Sequence, residues 1–135
     1  MLLEEDYDYL HDIGQEVEEN EARRFVIFKN FPLPTGIYES NGTAASAADI
    51  LIELPSVYNN SGPDMFWTYP YLTLVGGASV KNATPGGDVR EYEGRTFERW
   101  SRHWGKAGWR PRIDNISTVV DRLNWAFQHP DPDAV

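Results

Sequence analysis

Hydrophobic side chains near the N-terminus recur with the spacing of a helix, at Leu3, Tyr7, Leu10, Ile13 and Val17. Acidic residues crowd the beginning of this stretch, where the helix dipole favours negative charge. The pattern predicts an amphipathic helix over about residues 3 to 20. Its acidic outer face is either simply solvated or meets a basic partner, and the sequence leaves both readings open.

The pattern changes to that of β-structure in the middle of the chain. Residues 24 to 31 (RFVIFKNF) are rich in β-branched and aromatic side chains and are followed by a turn containing two prolines and a glycine. Ser40-Asn41-Gly42-Thr43 has the composition of a hairpin turn. Further apolar stretches follow at residues 36 to 40, at 49 to 54, and at 65 to 67 continued at 71 to 75. Together with residues 24 to 31 they predict an antiparallel meander of four strands over about residues 24 to 75.

A polar, glycine-rich stretch without sustained periodicity follows, from residue 76 to residue 94. Connections of this length are uncommon in compact domains and often carry function. We therefore expect a long loop over about residues 76 to 113 to border the functional site.

A second amphipathic helix is predicted over about residues 115 to 127. Asp114 is a plausible N-cap, and Pro130 ends the helical pattern. The apolar stripe that defines the helix consists of Ile116, Val119, Val120, Leu123 and Phe127. Helix, meander, loop and helix together predict an α+β fold, in one domain over residues 1 to 135.

Composition and charge narrow the function classes. The chain has 21 acidic and 12 basic residues, for a formal net charge of -9. Nucleic-acid binding rests on lysine and arginine contacts, so we expect neither nucleic acid nor an anionic membrane surface as a partner. Seven basic residues nevertheless fall in one stretch and predict a local basic surface: Arg90, Arg95, Arg99, Arg102, Lys106, Arg110 and Arg112.

The residues required for thiol chemistry and for a metal site are absent or unsuitably spaced. There is no cysteine, which excludes a disulfide, a thiolate metal site and a thiol nucleophile. His11, His103 and His129 show no ligand spacing, and we expect no metal and no cofactor. The N-terminal residues resemble no signal peptide and no stretch is apolar enough to span a membrane, so we expect a cytoplasmic protein.

Two local motifs resemble those of ubiquitin-conjugating enzymes. Leu54-Pro55-x-x-Tyr58, followed by Gly62-Pro63-Asp64-Met65-Phe66, is similar to the proline-tyrosine segment after the third strand of those enzymes, although Asn59 replaces a proline. Trp109-Arg110-Pro111 resembles the tryptophan-x-proline motif before their next helix. Their catalytic cysteine lies eight residues before that tryptophan, where this chain has Ser101.

The segments 63 to 67, 100 to 103 and 109 to 114 are similar to one prokaryotic branch of this superfamily, called family E. The resemblance covers about residues 24 to 127 and implies the ubiquitin-conjugating-enzyme fold. It further implies action beside a ubiquitin-like protein, an activating-enzyme homologue and a metalloprotease deconjugase, in bacterial operons linked with phage defence. The family's His-Pro-Asn triplet is missing, since Glu91-Tyr92-Glu93 stands there.

The resemblance implies an acyl-carrier transferase that accepts the C-terminus of a ubiquitin-like protein on Ser101 as an oxyester. A serine hydroxyl needs a base, and His103 is the candidate, but it reaches Ser101 only if the segment is a loop or turn. Arg99 and Arg102 are candidates for stabilising an oxyanion or for binding the partner's acidic flank. We expect five further residues in the site wall: Trp100, Trp109, Tyr58, Pro63 and Asp64.

Several alternatives remain open. The chain could instead be a non-catalytic binding module of the same fold for a ubiquitin-like protein or activating enzyme, which the missing triplet favours. A serine hydrolase using Ser101 and His103 is less well supported, because no G-x-S-x-G elbow and no orienting acid is evident. Ser101 could be an inert capping serine, or an engineered replacement of a cysteine, which the absence of cysteine fits equally.

Overall fold

The computed structural model describes residues 1–104 and 108–133. Within these ranges the chain forms two helices and nine strands. In chain order they are α1 (Glu4–Asp12), β1 (Val17–Asn20), β2 (Phe25–Pro32), β3 (Tyr38–Ser40), β4 (Thr43–Ala44), β5 (Ala47–Glu53), β6 (Phe66–Tyr69), β7 (Thr73–Leu74), β8 (Arg90–Tyr92), β9 (Arg95–Trp100) and α2 (Ile116–Gln128). The predicted α+β class is confirmed.

The strands form two antiparallel sheets. The main sheet has the order β1-β2-β5-β6-β9-β8, and a small sheet has the order β4-β3-β7. The predicted four-stranded meander is therefore wrong, because the segments at 38–44 and 73–74 leave the main sheet and pair with one another. The hairpin turn predicted at residues 40 to 43 does form, with Ser40 opposite Thr43 in the small sheet.

The first helix is shorter than predicted. It ends at Asp12, and Gly14 follows with a φ of 70°, in the left-handed region that favours glycine. The Gly14 amide donates to the His11 carbonyl at 3.0 Å and the Gln15 amide to the Leu10 carbonyl at 2.9 Å, which closes the helix end. Residues 17–20 then form an edge strand on β2, so the predicted helix over residues 3 to 20 is too long.

The predicted loop over residues 76 to 113 contains a β-hairpin. Strands β8 and β9 pair across Glu93 and Gly94, whose φ values of 49° and 74° suit a tight two-residue turn. Many charged residues in this hairpin conceal its alternation in the sequence. Its function in the fold is to add two strands beside β6, and β9 leads directly to Ser101.

The larger core lies between one face of the main sheet and α2. Trp100 is 1% exposed, with its ring centroid 5.3 Å from that of Phe66 and 4.9 Å from that of Phe127. The opposite face carries a smaller cluster of Phe25, Ile27, Leu51, Trp67, Tyr92 and Phe97. These aromatic contacts place the end of β9 against α2.

The second helix agrees with its prediction within one residue at each end, but its cap is different. Asn115 is the N-cap, and its side chain accepts from the Ser117 amide at 3.0 Å. Asp114 instead accepts from the Arg110 amide at 2.7 Å and from Thr118 Oγ1 at 3.2 Å. Asp114 therefore closes the turn before the helix.

A buried carboxylate joins the two helices to the loop after β5. Asp6 has no exposed surface, and its Oδ1 accepts from the Ile116 amide at 3.0 Å. Its Oδ2 accepts from the Leu3 amide at 2.9 Å and from the Tyr58 hydroxyl at 2.7 Å.

Neither helix in the described ranges has the length and apolar character that a bilayer crossing requires.

Candidate functional site

Ser101 is the first residue after β9, in a segment that is neither strand nor helix over residues 101–104. Its amide donates to the carbonyl of Asn82 at 2.9 Å, which ties it to the loop between β7 and β8. The N-caps of the two helices are Leu3 and Asn115 and their C-caps are Ile13 and His129, so Ser101 caps neither helix. The serine is half-buried, with its hydroxyl directed at the side chain of His103.

The imidazole of His103 lies between a hydroxyl and a carboxylate. Its Nε2 is 3.4 Å from Ser101 Oγ, a contact made possible because the segment is not a strand. Its Nδ1 is 3.5 Å from Asp64 Oδ1. The side chains of His103 and Asp64 are 67% and 63% exposed. Asp64 is thus the acid beside the histidine that the sequence did not reveal.

Arg102 is buried directly beside this group. Its guanidinium donates to the carbonyls of Lys81 at 3.0 Å, Ser101 at 3.1 Å and Pro130 at 3.3 Å. Burial, which penalises the charged form, lowers the pKa of Arg102 below its ordinary value. Its Nε is buried without a hydrogen-bond partner among the described residues. Arg102 therefore holds together the backbone around Ser101.

The basic stretch predicted from the sequence is broken up in space. Its described members pair with acids, contact the Asn60 side chain, or are buried. They are Arg90 with Glu53 and Asp88, Arg95 with Asp49, Arg99 with Asp88, Arg110 with Asp114, Arg112 on Asn60, and Arg102 buried. Lys106 lies outside the described residues. The predicted basic surface is wrong, because the fold brings a carboxylate beside most of these arginines.

Arg99 lies on the sheet face opposite to α2. It is paired across the strands with Trp67, which belongs to the smaller cluster, and its Nη1 is 3.7 Å from Asp88 Oδ2. Arg99 thus shares the Asp88 carboxylate with Arg90, whereas the Arg102 guanidinium contacts the Ser101 carbonyl directly.

Three residues predicted in the site wall serve instead to build the fold around it. Trp100 is in the core. The Trp109 indole donates to the Asn59 carbonyl at 2.8 Å, and its ring centroid is 6.0 Å from that of Tyr58. Tyr58 in turn donates to Asp6, and burial raises the pKa of its hydroxyl. Trp109 and Tyr58 hold the loop after β5 against the segment before α2.

Pro63 and Asp64 are closer to the serine. Pro63 is buried, and the Asp64 carbonyl accepts from the indole of Trp104 at 2.9 Å. This bond brings the loop after β5 to the segment that carries Ser101 and His103. Trp104 therefore connects the two parts of the site.

A cleft of about 640 Å³ opens beside Ser101. Ser101, Arg102, His103 and Trp104 form one wall, and α2 and the C-terminal segment form the others. Sequence reasoning missed most of the remaining lining, which consists of Asn82, Thr118, Asp121, Arg122, Trp125, Pro132 and Asp133. A signal existed for Trp125, a large aromatic residue outside the apolar stripe of α2 that is 43% exposed. No comparable signal marked Asn82.

The model of a family described as prokaryotic E2 family E matches residues 2–130, nearly the whole chain. No curated protein and no solved structure matched it. An E2-like family has a role related to ubiquitin-like conjugation, which implies interaction with a ubiquitin-like protein and an activating enzyme. Because the match covers well over half of its residues, the chain belongs to prokaryotic E2 family E.

Proposed function

We propose that this protein is an acyl-carrier transferase that accepts the C-terminus of a ubiquitin-like protein on Ser101 as an oxyester. The observation that carries the proposal is the contact of 3.4 Å between Ser101 Oγ and His103 Nε2, at the edge of the cleft. Hydrogen bonds of this kind are often long in a free enzyme and shorten when the substrate binds.

The reaction would proceed by nucleophilic attack. Ser101 Oγ forms a bond to the carbonyl carbon of the activated C-terminal glycyl group while its proton moves to His103 Nε2. The bond from that carbon to the activating enzyme's leaving group then breaks, and the leaving group takes the proton. The oxyester that remains is attacked in the second step by an amine or another nucleophile.

The negative charge that develops on the carbonyl oxygen needs a partner, and the asparagine of the His-Pro-Asn triplet is missing. We assign this role to Arg102, whose cation contacts the Ser101 backbone and which lines the cleft beside that serine. Arg99, which pairs with Asp88, is the weaker candidate and is better placed to meet an acidic part of the partner.

The cleft offers room for the extended C-terminal residues of the partner. Its volume of about 640 Å³ is within the range of small-ligand sites. The pathway proposed is a bacterial, phage-defence conjugation system in which an activating-enzyme homologue loads Ser101. A metalloprotease deconjugase from the same operon would reverse the modification.

The second candidate is a non-catalytic binding module for the same partners. The large exposure of His103 and Asp64 favours it, because water screens the charges on which general-base catalysis depends. In that case the cleft would hold the partner's C-terminus without forming a bond to it.

The test is to mix the protein with its activating enzyme, ATP and the ubiquitin-like protein, and to measure intact mass. We expect an adduct that resists dithiothreitol and is cleaved by mild alkali, as an oxyester is. Ser101→Ala should abolish the adduct, and Ser101→Cys should give one that dithiothreitol cleaves. An adduct that survives Ser101→Ala would contradict the assignment, and binding without any adduct would favour the binding module.

A further inference from the structure

We infer that Asp64 is a positioning residue that orients His103 toward Ser101, and that these three residues make Ser101 reactive toward small acyl and phosphonyl electrophiles. The inference rests on the proposed function for the roles of Ser101 and His103, and adds Asp64 and a reactivity that requires no protein partner. Asp64 is 37 residues from Ser101 in the sequence, so only the fold brings them together.

The geometry places the two partners at the two nitrogens of one ring. Asp64 Oδ1 is 3.5 Å from Nδ1, and Ser101 Oγ is 3.4 Å from Nε2. A carboxylate beside Nδ1 favours the tautomer that carries its proton there. The lone pair is then on Nε2, where it can accept the proton of the serine hydroxyl.

The backbone holds this arrangement from both sides. The carbonyl of Asp64 accepts from the Trp104 indole, one residue after His103. Arg102, one residue before His103, is anchored to the carbonyls of Lys81 and Pro130. His103 is thus exposed but lies between two fixed neighbours, so little ordering is needed to bring its ring between Asp64 and Ser101.

Stability does not account for the pairing of Asp64 with His103. Exposed ion pairs contribute little to folding, about 0–1 kcal/mol at most. The positive charge of Arg122 is close enough to interact electrostatically with Asp64, and its guanidinium carbon is 5.1 Å from the Trp104 ring centroid. The Asp64 carboxylate thus has both the Arg122 cation and the His103 imidazole nearby.

A fluorophosphonate probe tests the serine directly. Ser101 Oγ would form a bond to phosphorus, the phosphorus–fluorine bond would break, and fluoride would leave. The hydroxyl proton would pass to His103 Nε2 and then to solvent. Labelling is followed by intact mass, and the modified residue is found by peptide mass.

We expect the probe to label the unmodified protein at Ser101, with no labelling of Ser101→Ala. His103→Ala should slow labelling by about 100-fold, as loss of a general base does. Asp64→Asn should lower the maximal labelling rate by about 10-fold, as loss of a residue that orients an imidazole does, without changing the probe concentration that gives half that rate. Asp64→Glu should restore most of the rate, and the matched surface control Asp12→Asn should label like the unmodified protein.

Labelling of Asp64→Asn at the full rate, absence of labelling in the unmodified protein, or labelling at another residue would each overturn the inference. Urea unfolding of each variant separates a lost orienting contact from a lost fold, since only the former leaves the unfolding free energy unchanged. If the probe labels Ser101 as expected but no conjugate of the ubiquitin-like protein forms, the proposed function fails and the inference stands. If conjugates form at equal rates with Asp64→Asn, the proposed function stands and the inference fails.

Discussion

At the scale of single residues, the site depends on a buried arginine that the sequence presents as one of seven similar cations. Arg102 is 3% exposed, whereas the Arg99 side chain is 37% exposed. Buried charges are tolerated where they are hydrogen-bonded, and Arg102 donates to three carbonyls from separate segments. Its position between Ser101 and His103 makes the geometry of both residues depend on it.

Arg102→Met should therefore lower the unfolding free energy by about 2–4 kcal/mol, because it leaves buried carbonyls without donors while keeping most of the volume. Urea denaturation measures this change. Arg99→Ala, which removes a surface ion pair, should change the same quantity by less than about 1 kcal/mol. Equal effects of the two variants would show that Arg102 does not hold these segments together.

At the scale of elements, the loop after β5 is positioned by close packing against the segment before α2. The backbone of Gly62 lies flat on the ring of Trp109, so that a Cβ atom there would be only 2.1 Å from Trp109 Cε3. The ring cannot move away without weakening its hydrogen bond to the Asn59 carbonyl. Asp64 follows two residues later, so this packing also determines where the carboxylate lies.

Gly62→Ala should lower the unfolding free energy by about 1–3 kcal/mol, as other overpacked sites do. The proposed formation of a conjugate on Ser101 should become slower as well, because Asp64 would be displaced from His103. Gly87→Ala is the matched control, since a Cβ atom at Gly87 has no neighbour within 4 Å. Thermal unfolding and the intact-mass assay on both variants test the two expectations, and a fully stable Gly62→Ala would contradict them.

At the scale of the whole molecule, an ionic cluster links strands that are distant in sequence. Asp49 on β5 lies 3.2 Å from Lys29 Nζ of β2 and 2.6 Å from Arg95 Nη1 of β9, and it accepts from the Asn30 amide. Burial acts to raise the pKa of Asp49, but the amide and the two cations outweigh it and lower the pKa below its usual value. A lowered pKa means that the ionised form stabilises the fold.

Stability should consequently fall in acid. The contribution of Asp49 is complete above about pH 5 and is lost as the pH falls past the ordinary aspartate value of about 3.9 and through the lowered pKa. Asp49→Asn should be less stable than the unmodified protein at neutral pH, and the difference should shrink below about pH 4. Urea unfolding at several pH values measures it, and two parallel stability curves would contradict the assignment.

The amino-acid sequence by itself determined the α+β class, the second helix and the position of Ser101 in the family pattern. These follow from local periodicity and from motif spacing, which no long-range contact alters. The sequence pattern predicted the end of α1 too late, because Val17 fits both the helical and the strand period. It did not reveal β8 and β9, because this hairpin is too rich in charged residues to show an alternation of apolar and polar positions.

Only the tertiary structure decided which residues surround Ser101. The pairing of β9 with β6 and the packing of Trp100 on Phe127 bring the end of β9 to α2 and create the cleft. Asp64 reaches His103 because Trp104 binds its carbonyl, and Arg90 and Arg95 pair with carboxylates of β5. Such contacts join residues tens of positions apart, and their selection depends on packing that periodicity along one chain does not encode.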